Sequence, residues 1–358
     1  MKSIVWFTNN LRVTDHPLLT AACENNANEV MAVYCLNPEK LKGDLPKIGP
    51  FRAKFIVESL LDLKQSLEEL NIPFAILIGE PAKRLPEYIN ENNFGTLYFQ
   101  KVWHEEEVLI NKEIEAQISP NTQLVSLYDQ FLLGPELIPF ELYKLPKVFT
   151  PFRKKIEATL KVPAPLAVPA KQTNTSNTPL FYSDALWPSI SKELLFLKID
   201  SRSAFPFSGG EKAAQARIDH YFFSTDHVAQ YKETRNGLIG LDYSTKLSAW
   251  LANGCISART VCHQLITYEK TVQANESTYW VLFELLWREF FKYVGLKHKN
   301  ELFKSGGINH KSFAKGDNPK VYDTWKNGTT HSAFINANMK ELAQTGWMSN
   351  RGRQNVAS

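Results

Sequence analysis

A hydroxyl-rich segment in the second half of the sequence has the composition of an anion-binding site. The segment Tyr231–Ser248 reads YKETRNGLIGLDYSTKLS and combines a glycine-bearing turn, an arginine and the cluster Ser244, Thr245, Lys246 and Ser248. Hydroxyl groups and backbone N–H groups at the start of a helix can bind phosphate or diphosphate. The same residues are also typical of a helix N-cap followed by ordinary serines. On these residues alone, the N-cap is the favoured interpretation.

A second segment, Gly346–Ser358, also contains residues that can do chemistry. It reads GWMSNRGRQNVAS, and Trp347, Asn350, Arg351 and Arg353 lie within seven residues of one another. An asparagine side chain both donates and accepts hydrogen bonds, so it can bind the edge of a base or of a flavin ring. Two arginines two positions apart point to different faces, so one can bind a cofactor phosphate and the other a DNA phosphate. A basic surface turn is the alternative interpretation.

A third candidate is a pair of charged residues on a strongly apolar helix. The segment Ser277–Val294 reads STYWVLFELLWREFFKYV and is apolar nearly all round, which predicts a buried central helix. Glu284 and Arg288 stand four positions apart and therefore lie on one face of that helix. Buried charges are costly unless they are paired or face a ligand. A structural ion pair between the two is the favoured interpretation, and a ligand site is the alternative.

The first half of the chain predicts an α/β domain over residues 1–130. Short apolar runs alternate with amphipathic runs, which indicates a five-stranded parallel, Rossmann-like sheet with helices on both faces. Such sheets bind ligands beyond the carboxyl ends of their strands. No GxGxxG or GxxxxGK[ST] motif follows the first strand, so a standard dinucleotide site or P-loop is not supported. The predicted strands are Ser3–Phe7, Val30–Leu36, Phe74–Ile78, Thr96–Phe99 and Leu124–Leu127.

The remainder divides into a connector, residues 131–208, and a helical domain, residues 209–358. The stretch Val162–Pro179 is rich in proline and small polar residues and is expected to be extended or mobile. After residue 209 the pattern is helical with hardly any strand signal. The predicted helices there are Glu211–Phe223, Arg259–Gln273, Ser277–Val294, Asn318–Asn327 and Asn336–Thr345.

Composition narrows the functional classes. The 358 residues are 44% hydrophobic, enough for two cores, and no apolar run approaches the roughly 20 residues of a membrane span. From Glu211 onward there are 19 lysines and arginines against 13 acidic residues, a net charge of +6, whereas the first 210 residues carry −2. Five of the eight tryptophans lie in the same basic half. The charge suggests an anionic partner for this half, but on charge alone a helical core with solvated lysines is the favoured interpretation. Four scattered cysteines fit a reducing cytoplasm and no metal site.

In combination and in this order, the motifs resemble the photolyase/cryptochrome family, most closely its DASH branch. WFTNNLRVTDHPLL resembles the family's opening strand and loop, and KIGPFRAKFIVESLLDL its DASH second-helix motif. YKETRNGLIGLDYSTKLSAWLANGCISAR, ESTYWVLFELLWREFF and GWMSNRGRQNVAS resemble its flavin-facing and DNA-facing segments. Gln354 followed by Asn355 favours DASH over the cyclobutane class. The resemblance covers essentially the whole chain and implies an α/β domain followed by an all-α FAD-binding domain.

The resemblance implies that the helical domain binds FAD in a folded, U-shaped form. The phosphates and ribose would be held by Tyr231 and by the run from Ser244 to Ser248. Arg288, Trp347, Asn350 and Arg353 match further flavin-contacting positions. The residues implied in phosphate and ribose binding are Tyr231, Ser244, Thr245, Lys246, Leu247 and Ser248.

The resemblance also implies a DNA substrate. Glu284 and Asn350 match the pair that hydrogen-bonds a flipped-out pyrimidine dimer, and Trp287 matches the aromatic residue that stacks on it. Arg235 and Arg351 match positions that contact DNA phosphates. The implied reaction is blue-light-driven electron transfer from reduced FAD to a cyclobutane pyrimidine dimer, preferably in single-stranded DNA.

An antenna and a reducing chain are implied as well. The first domain would hold 5,10-methenyltetrahydrofolate, with Glu105 or Glu106 as candidates. Solvated glutamates in the first turn of a helix are the favoured alternative for these two residues. Trp325 matches the outermost tryptophan of the family's reducing chain.

The family continues well beyond the position of Ser358, so the resemblance implies that the FAD domain lacks its C-terminal part. Two alternatives to repair therefore stay open: a blue-light photoreceptor with a signalling role, and an inactive remnant that cannot retain FAD. A cytoplasmic monomer without membrane association is expected in each case.

Overall fold

A six-stranded parallel sheet forms the first part of the molecule. The computed structural model describes residues 2–25, 29–43, 46–173, 178–312, 316 and 318–357. The strand order is β5-β4-β1-β2-β3-β6, and every neighbouring pair is parallel. The strands are β1 Lys2–Phe7, β2 Glu29–Leu36, β3 Phe74–Ile78, β4 Thr96–Gln100, β5 Gln123–Leu127 and β6 Phe181–Ser183.

The five predicted strands are confirmed, but the prediction of a five-stranded sheet is wrong. The sixth strand, Phe181–Ser183, pairs with β3 at the sheet edge, where Phe74 lies opposite Phe181. This strand has three residues, none of them buried, and it follows a proline-rich stretch. Its sequence therefore has neither the length nor the apolar run that predicts a strand.

Helices cover both faces of the sheet, as the alternating pattern predicts. Val5 and Phe7 of β1 pack into one core with α1 and α2, whereas Ile4 and Trp6 pack into a second core with α3 and α4. Both sets of side chains are buried, which explains the unbroken apolar runs of the strands. The helices of this part are α1 Pro17–Glu24, α2 Pro50–Glu69, α3 Pro81–Glu91 and α4 Glu105–Gln117.

The connector crosses back over the first domain. It contains α5 Phe149–Glu157 and α6 Trp187–Leu195, with β6 between them. The described part of the predicted linker is irregular and hydrogen-bonded to the first domain, since the backbone of Leu166 bonds Asp15 at 2.9 and 3.0 Å. Residues 174–177 of that linker lie outside the described residues.

The second half is helical. It contains short 3₁₀ turns at His227–Gln230, Lys299–Phe303 and Gly307–Asn309 and a π-helical turn at Asp219–Ser224. Two further 3₁₀ turns, Pro38–Leu41 and Leu142–Lys144, lie in the first half of the chain. The helices are α7 Glu211–Ile218, α8 Tyr231–Thr234, α9 Ser248–Asn253, α10 Ala258–Thr271, α11 Glu276–His298, α12 Pro319–Lys326, α13 Ala333–Thr345 and α14 Asn350–Val356.

The loop after β1 fixes the helical half against the carboxyl end of the sheet. The buried guanidinium of Arg12 donates hydrogen bonds to the carbonyls of Asp15 and Gly254, and the Asp15 carboxylate accepts two from Arg259 at 2.9 Å. Gly254 has a φ of +69°, and a Cβ there would lie 1.9 Å from the carbonyl oxygen of Asn9. A glycine at this position therefore lets the two domains meet backbone to backbone.

Candidate functional site

Two adjoining cavities lie in the helical half, near the carboxyl end of the sheet. One has a volume of about 660 Å³ and reaches Arg12 and Gln100 of the first domain. The other has a volume of about 680 Å³ and is bounded by Trp347 and Arg353. Both volumes lie in the range of ligand sites. The residues that line both cavities are Tyr231, Thr245, Leu247, Ser248, Ala252, Glu284 and Asn350.

The hydroxyl-rich segment forms a loop that leads into α9. Leu247 occupies the N-cap of this helix and no side chain caps it, so the N-cap interpretation is wrong. Within the described residues, the hydroxyl groups of Ser244, Thr245 and Ser248 have no hydrogen-bond partner in the protein. All three residues line the second cavity, where these groups are available to an anion.

Lys246 is buried in the wall of the same cavity. Its backbone has a φ of +62°, and its amine lies 3.2 Å from the centroid of the Tyr243 ring. The Trp347 ring lies 5.2 Å from the same amine, which has no hydrogen-bond partner among the described residues. Burial lowers the pKa of Lys246 to about 7. The amine is therefore held against two aromatic rings and contributes only part of a charge near neutral pH.

Glu284 projects from α11 to the place where the two cavities meet. It forms an ion pair with Arg235, with 2.5 Å between Oε1 and the guanidinium nitrogen. Burial raises the pKa of Glu284, and the neighbouring Arg235 opposes that shift. The favoured interpretation from sequence, an ion pair between Glu284 and Arg288, is wrong because each has a different partner. Arg235, which the resemblance implies to contact DNA phosphate, here faces the carboxylate.

Arg288 pairs with its neighbour along the helix. Its guanidinium donates to Glu289 at 3.0 Å, and burial lowers the pKa of Arg288. The Glu289 carboxylate also accepts from the backbone N–H groups of Leu132 and Leu133, at 2.8 and 3.4 Å. Sequence reasoning missed Glu289, although a second carboxylate beside Arg288 in an apolar helix was a usable signal.

Trp287 lines the first cavity and is held by stacking. Its ring lies parallel to that of Phe149 on α5, with 3.7 Å between the centroids and 11° between the planes. Phe291 stacks on the same ring at 5.4 Å. The indole is thereby fixed beside Glu284, on the helical stripe that the spacing predicts.

The segment after α13 closes the second cavity. Trp347 stacks on Phe205 with 4.5 Å between centroids, and its indole N–H donates to the Tyr243 hydroxyl at 3.3 Å. Asn350 begins α14 and lines both cavities. Arg353 lines the second cavity.

Two of the predicted residues lie away from the cavities. Arg351 points outward and donates to the Asn236 side chain at 2.8 Å, so the two arginines of this segment occupy different faces. Trp325 packs in a small separate core, and its indole donates to the carbonyl of Val356 at 3.0 Å. Within the described residues, Trp325 lines neither cavity.

Comparison with known proteins identifies the family. Residues 3–170 match the family model described as DNA photolyase, and residues 280–358 match the FAD binding domain of DNA photolyase. The cryptochrome DASH of Gloeobacter violaceus is 38% identical over 99% of this chain and 71% of its own length. The chain belongs to the DASH cryptochromes of the photolyase/cryptochrome family. This confirms the resemblance drawn from the motifs.

Other DASH cryptochromes and a solved structure agree. The Danio rerio protein is 39% identical over 98% of this chain and 68% of its own length. The structure of a Synechocystis cryptochrome matches with a TM-score of 0.92 and 35% identity, over 100% of this chain and 74% of that one. This confirms the prediction of an α/β domain followed by a helical FAD domain. The chain spans about 70% of the length of these relatives.

The α/β domain of this DASH cryptochrome contains a third cavity, of about 560 Å³, at the carboxyl ends of β1, β2 and β4. Glu105 and Glu106 line it from the first turn of α4. Glu106 pairs with Lys47 at 2.5 Å and Lys40 at 3.7 Å, and the hydrogen bond from Lys47 lowers its pKa. Its position in the first turn suggested a solvated glutamate. The two ion pairs show instead that Glu106 is held by neighbouring lysines.

Among the described residues, no helix is both long enough and apolar enough to cross a lipid bilayer.

Proposed function

We propose that this DASH cryptochrome binds FAD in the two adjoining cavities and repairs cyclobutane pyrimidine dimers in single-stranded DNA under blue light. The observation that carries the proposal is the meeting of the cavities at Glu284 and Asn350, with Tyr231, Thr245 and Ser248 on the same walls. A carboxylate and an amide are complementary to the edge of a pyrimidine, and a hydroxyl-rich loop is complementary to a diphosphate.

The residues present fit FAD. The hydroxyls of Ser244, Thr245 and Ser248 have no partner among the described residues, and the neighbouring Lys246 amine has no acceptor. A diphosphate would supply the acceptor groups that these donors lack. Arg288, which lines the first cavity, offers a cation. Bound FAD would supply the light-driven one-electron chemistry, whereas the chain supplies binding, orientation and the exclusion of water.

In this proposal, four residues have roles in binding the DNA substrate. The Glu284 carboxylate accepts a hydrogen bond from a pyrimidine N–H, and Asn350 binds the same base edge with its amide. Trp287, held by Phe149, lines the first cavity, where its indole can pack against the flipped-out bases. Arg351 lies on the outer surface, where it reaches a DNA phosphate. A dimer is poorly stacked, so its extrusion costs little.

The test combines flavin retention with repair by the 358-residue chain. The purified chain is incubated with FAD and desalted, and its flavin absorbance is recorded. It is then reduced and illuminated with a single-stranded oligonucleotide that contains a thymine dimer. We expect bound flavin and the recovery of thymine absorbance. A chain that retains no flavin refutes the proposal, and one that retains photoreducible flavin without repair supports the photoreceptor alternative.

A matched pair of substitutions tests the role of Glu284. Glu284→Gln removes one charge-assisted hydrogen bond to the base, so we expect the repair yield at limiting substrate to fall roughly tenfold or more. Glu276→Gln serves as the control because Glu276 lies on the same helix, is exposed and pairs with Lys232. Equal repair yields for the two variants would contradict the assignment.

The third cavity favours an antenna function in addition. We propose that it binds 5,10-methenyltetrahydrofolate, because Glu105 and Glu106 line it and their carboxylates can accept hydrogen bonds from a pterin ring. Glu106→Gln is expected to weaken folate binding several-fold, and Glu115→Gln, exposed on the same helix, is expected to leave it unchanged. Fluorescence titration with the folate measures both.

A further inference from the structure

The loop beside the FAD cavities is organised by an arginine from another helix. We propose that Arg217 of α7 is a positioning residue for the loop Leu241–Lys246, and that it sets this loop in the conformation that receives the diphosphate. The inference rests on the proposed function, because the diphosphate is that of FAD. Arg217 does not line either cavity, so it acts through the loop and not on the ligand.

Arg217 binds the loop through all three of its guanidinium nitrogens. Its Nε donates to the carbonyl of Thr245 at 3.0 Å, and one terminal nitrogen donates to the carbonyls of Ser244 and Leu241 at 3.0 and 3.2 Å. The other terminal nitrogen donates to the Asp242 carboxylate at 2.6 Å. Four contacts within five loop residues leave this stretch little freedom to change its path.

The guanidinium is itself firmly held. The Arg217 side chain is 2% exposed, and the rings of Phe207 and Tyr221 lie 5.0 and 4.9 Å from its central carbon. Burial alone would raise the pKa of Asp242, but the hydrogen bond from Arg217 overrides it and keeps that pKa below its ordinary value. The pair therefore stays ionised and acts as a fixed point beneath the loop.

Because Arg217 fixes the direction of two loop carbonyls, it also fixes the direction of the N–H group in each of the same peptide units. In a trans peptide the C=O and N–H bonds point in opposite directions. Because the carbonyls of Ser244 and Thr245 turn to Arg217, the N–H groups of Thr245 and Lys246 turn away from it. Among the described residues, neither N–H has an acceptor. Both residues line the second cavity, so these two donors join the free hydroxyls of Ser244 and Thr245 as a set that suits a phosphate.

A lysine cannot replace this arginine. The planar fork of a guanidinium reaches three carbonyls and a carboxylate at fixed angles, whereas an ammonium is a single point with three donors. Arg217→Lys therefore keeps the positive charge but releases part of the loop. Arg153→Lys is the control: like Arg217, Arg153 is paired with a carboxylate, that of Glu157, but it is only half-buried and contacts α11 instead of the loop.

The test compares the two variants with the wild-type 358-residue chain. Amide hydrogen exchange without ligand reports the loop, and titrations with FAD and with riboflavin, which has no phosphate, report binding. For Arg217→Lys we expect the exchange rate of residues 241–246 to rise about tenfold or more, while exchange in α10 and α11 stays unchanged. We expect the affinity for FAD to fall about tenfold and the affinity for riboflavin to stay constant. Arg153→Lys is expected to alter neither exchange in residues 241–246 nor the two affinities.

Two results would overturn the proposal: loop exchange that does not change, or FAD and riboflavin affinities that fall equally. If the wild-type chain binds no FAD while its loop exchange still depends on Arg217, the proposed function fails and the positioning of the loop stands. If Arg217→Lys does not fold, Asp242→Ala replaces it, because it removes one contact at a half-buried position. A rise in exchange confined to residues 241–246 then supports the proposal, and its absence refutes it.

Discussion

Replacing Arg235 by methionine tests the ion pair that holds Glu284 at the meeting point of the cavities. The two groups are 2.5 Å apart, and their side chains are 21% and 30% exposed. Exposed ion pairs contribute about 0–1 kcal/mol to stability, whereas removing one partner of a fully buried pair costs about 3–5 kcal/mol. Because this pair lies between those limits, we expect Arg235→Met to lower the free energy of unfolding by about 1–2 kcal/mol.

A double-mutant cycle separates the pair from other effects of the substitution. Urea unfolding is measured for the wild type, Arg235→Met, Glu284→Gln and the double variant. We expect the double variant to be more stable than the sum of the single losses predicts, by about 1–2 kcal/mol, because the second substitution removes the carboxylate that the first leaves unpaired. Arg202→Met is the control, since Arg202 and its partner Asp200 pair on the surface, and it is expected to leave the unfolding midpoint unchanged.

The pH dependence gives an independent check with a definite sign. Burial already raises the pKa of Glu284 above its ordinary 4.5, and Arg235 opposes the shift. Without Arg235 that pKa rises further, so the folded variant binds a proton that the unfolded chain has lost, and its stability falls as the pH rises above about 4.5. Arg235→Met should therefore be more destabilising near pH 8 than near pH 5. A loss that is equal at both pH values, or a coupling near zero, would refute the reasoning.

Three further substitutions test the packing around the site, each by urea unfolding. Gly254→Ala places a Cβ 1.9 Å from the carbonyl oxygen of Asn9, so we expect it to lower the free energy of unfolding by more than about 2 kcal/mol. Ala252→Gly is the local control and should lower it by about 1 kcal/mol. Trp250→Ala empties a fully buried site and should cost about 3–5 kcal/mol; a loss below about 1 kcal/mol would contradict the packing. Lys246 has a pKa of about 7, below its ordinary 10.5, so the unfolded chain binds more protons and stability should rise between those pH values. Lys246→Met should flatten that rise, and an unchanged pH profile would contradict the burial of the amine.

Much of the fold could be predicted from hydrophobic periodicity. The four central strands, β1 to β4, are buried on both faces, so their apolar runs are continuous. The long helix α11 could be predicted for the same reason. The strand Phe181–Ser183 could not, because it is short and half-exposed, and its pairing depends on where the connector returns to the sheet and not on its own residues.

Most residues that line the cavities could be predicted, but their pairings could not. Spacing placed Glu284, Trp287 and Arg288 on one stripe of α11, and the motifs placed Asn350 and the loop before α9 in the same site. Spacing could not show that Glu284 pairs with Arg235, because that contact joins residues 49 positions apart. A local rule such as the pairing of residues four apart describes isolated helices, and long-range partners override it in a folded protein.

The charged residues of α11 show how this site is held together. Glu284 bonds Arg235 beyond α8, Arg288 reaches the carbonyl of Leu251 on α9 at 3.5 Å, and Glu289 accepts the N–H group of Leu132 in the connector at 2.8 Å. One apolar helix thus binds three other parts of the chain through polar groups that surround the cavities. Apolar packing alone tolerates sliding and substitution, whereas buried hydrogen bonds fix position and direction. The shape of the cavities therefore depends on these polar contacts, together with those of Arg217, more than on the fit of the apolar core.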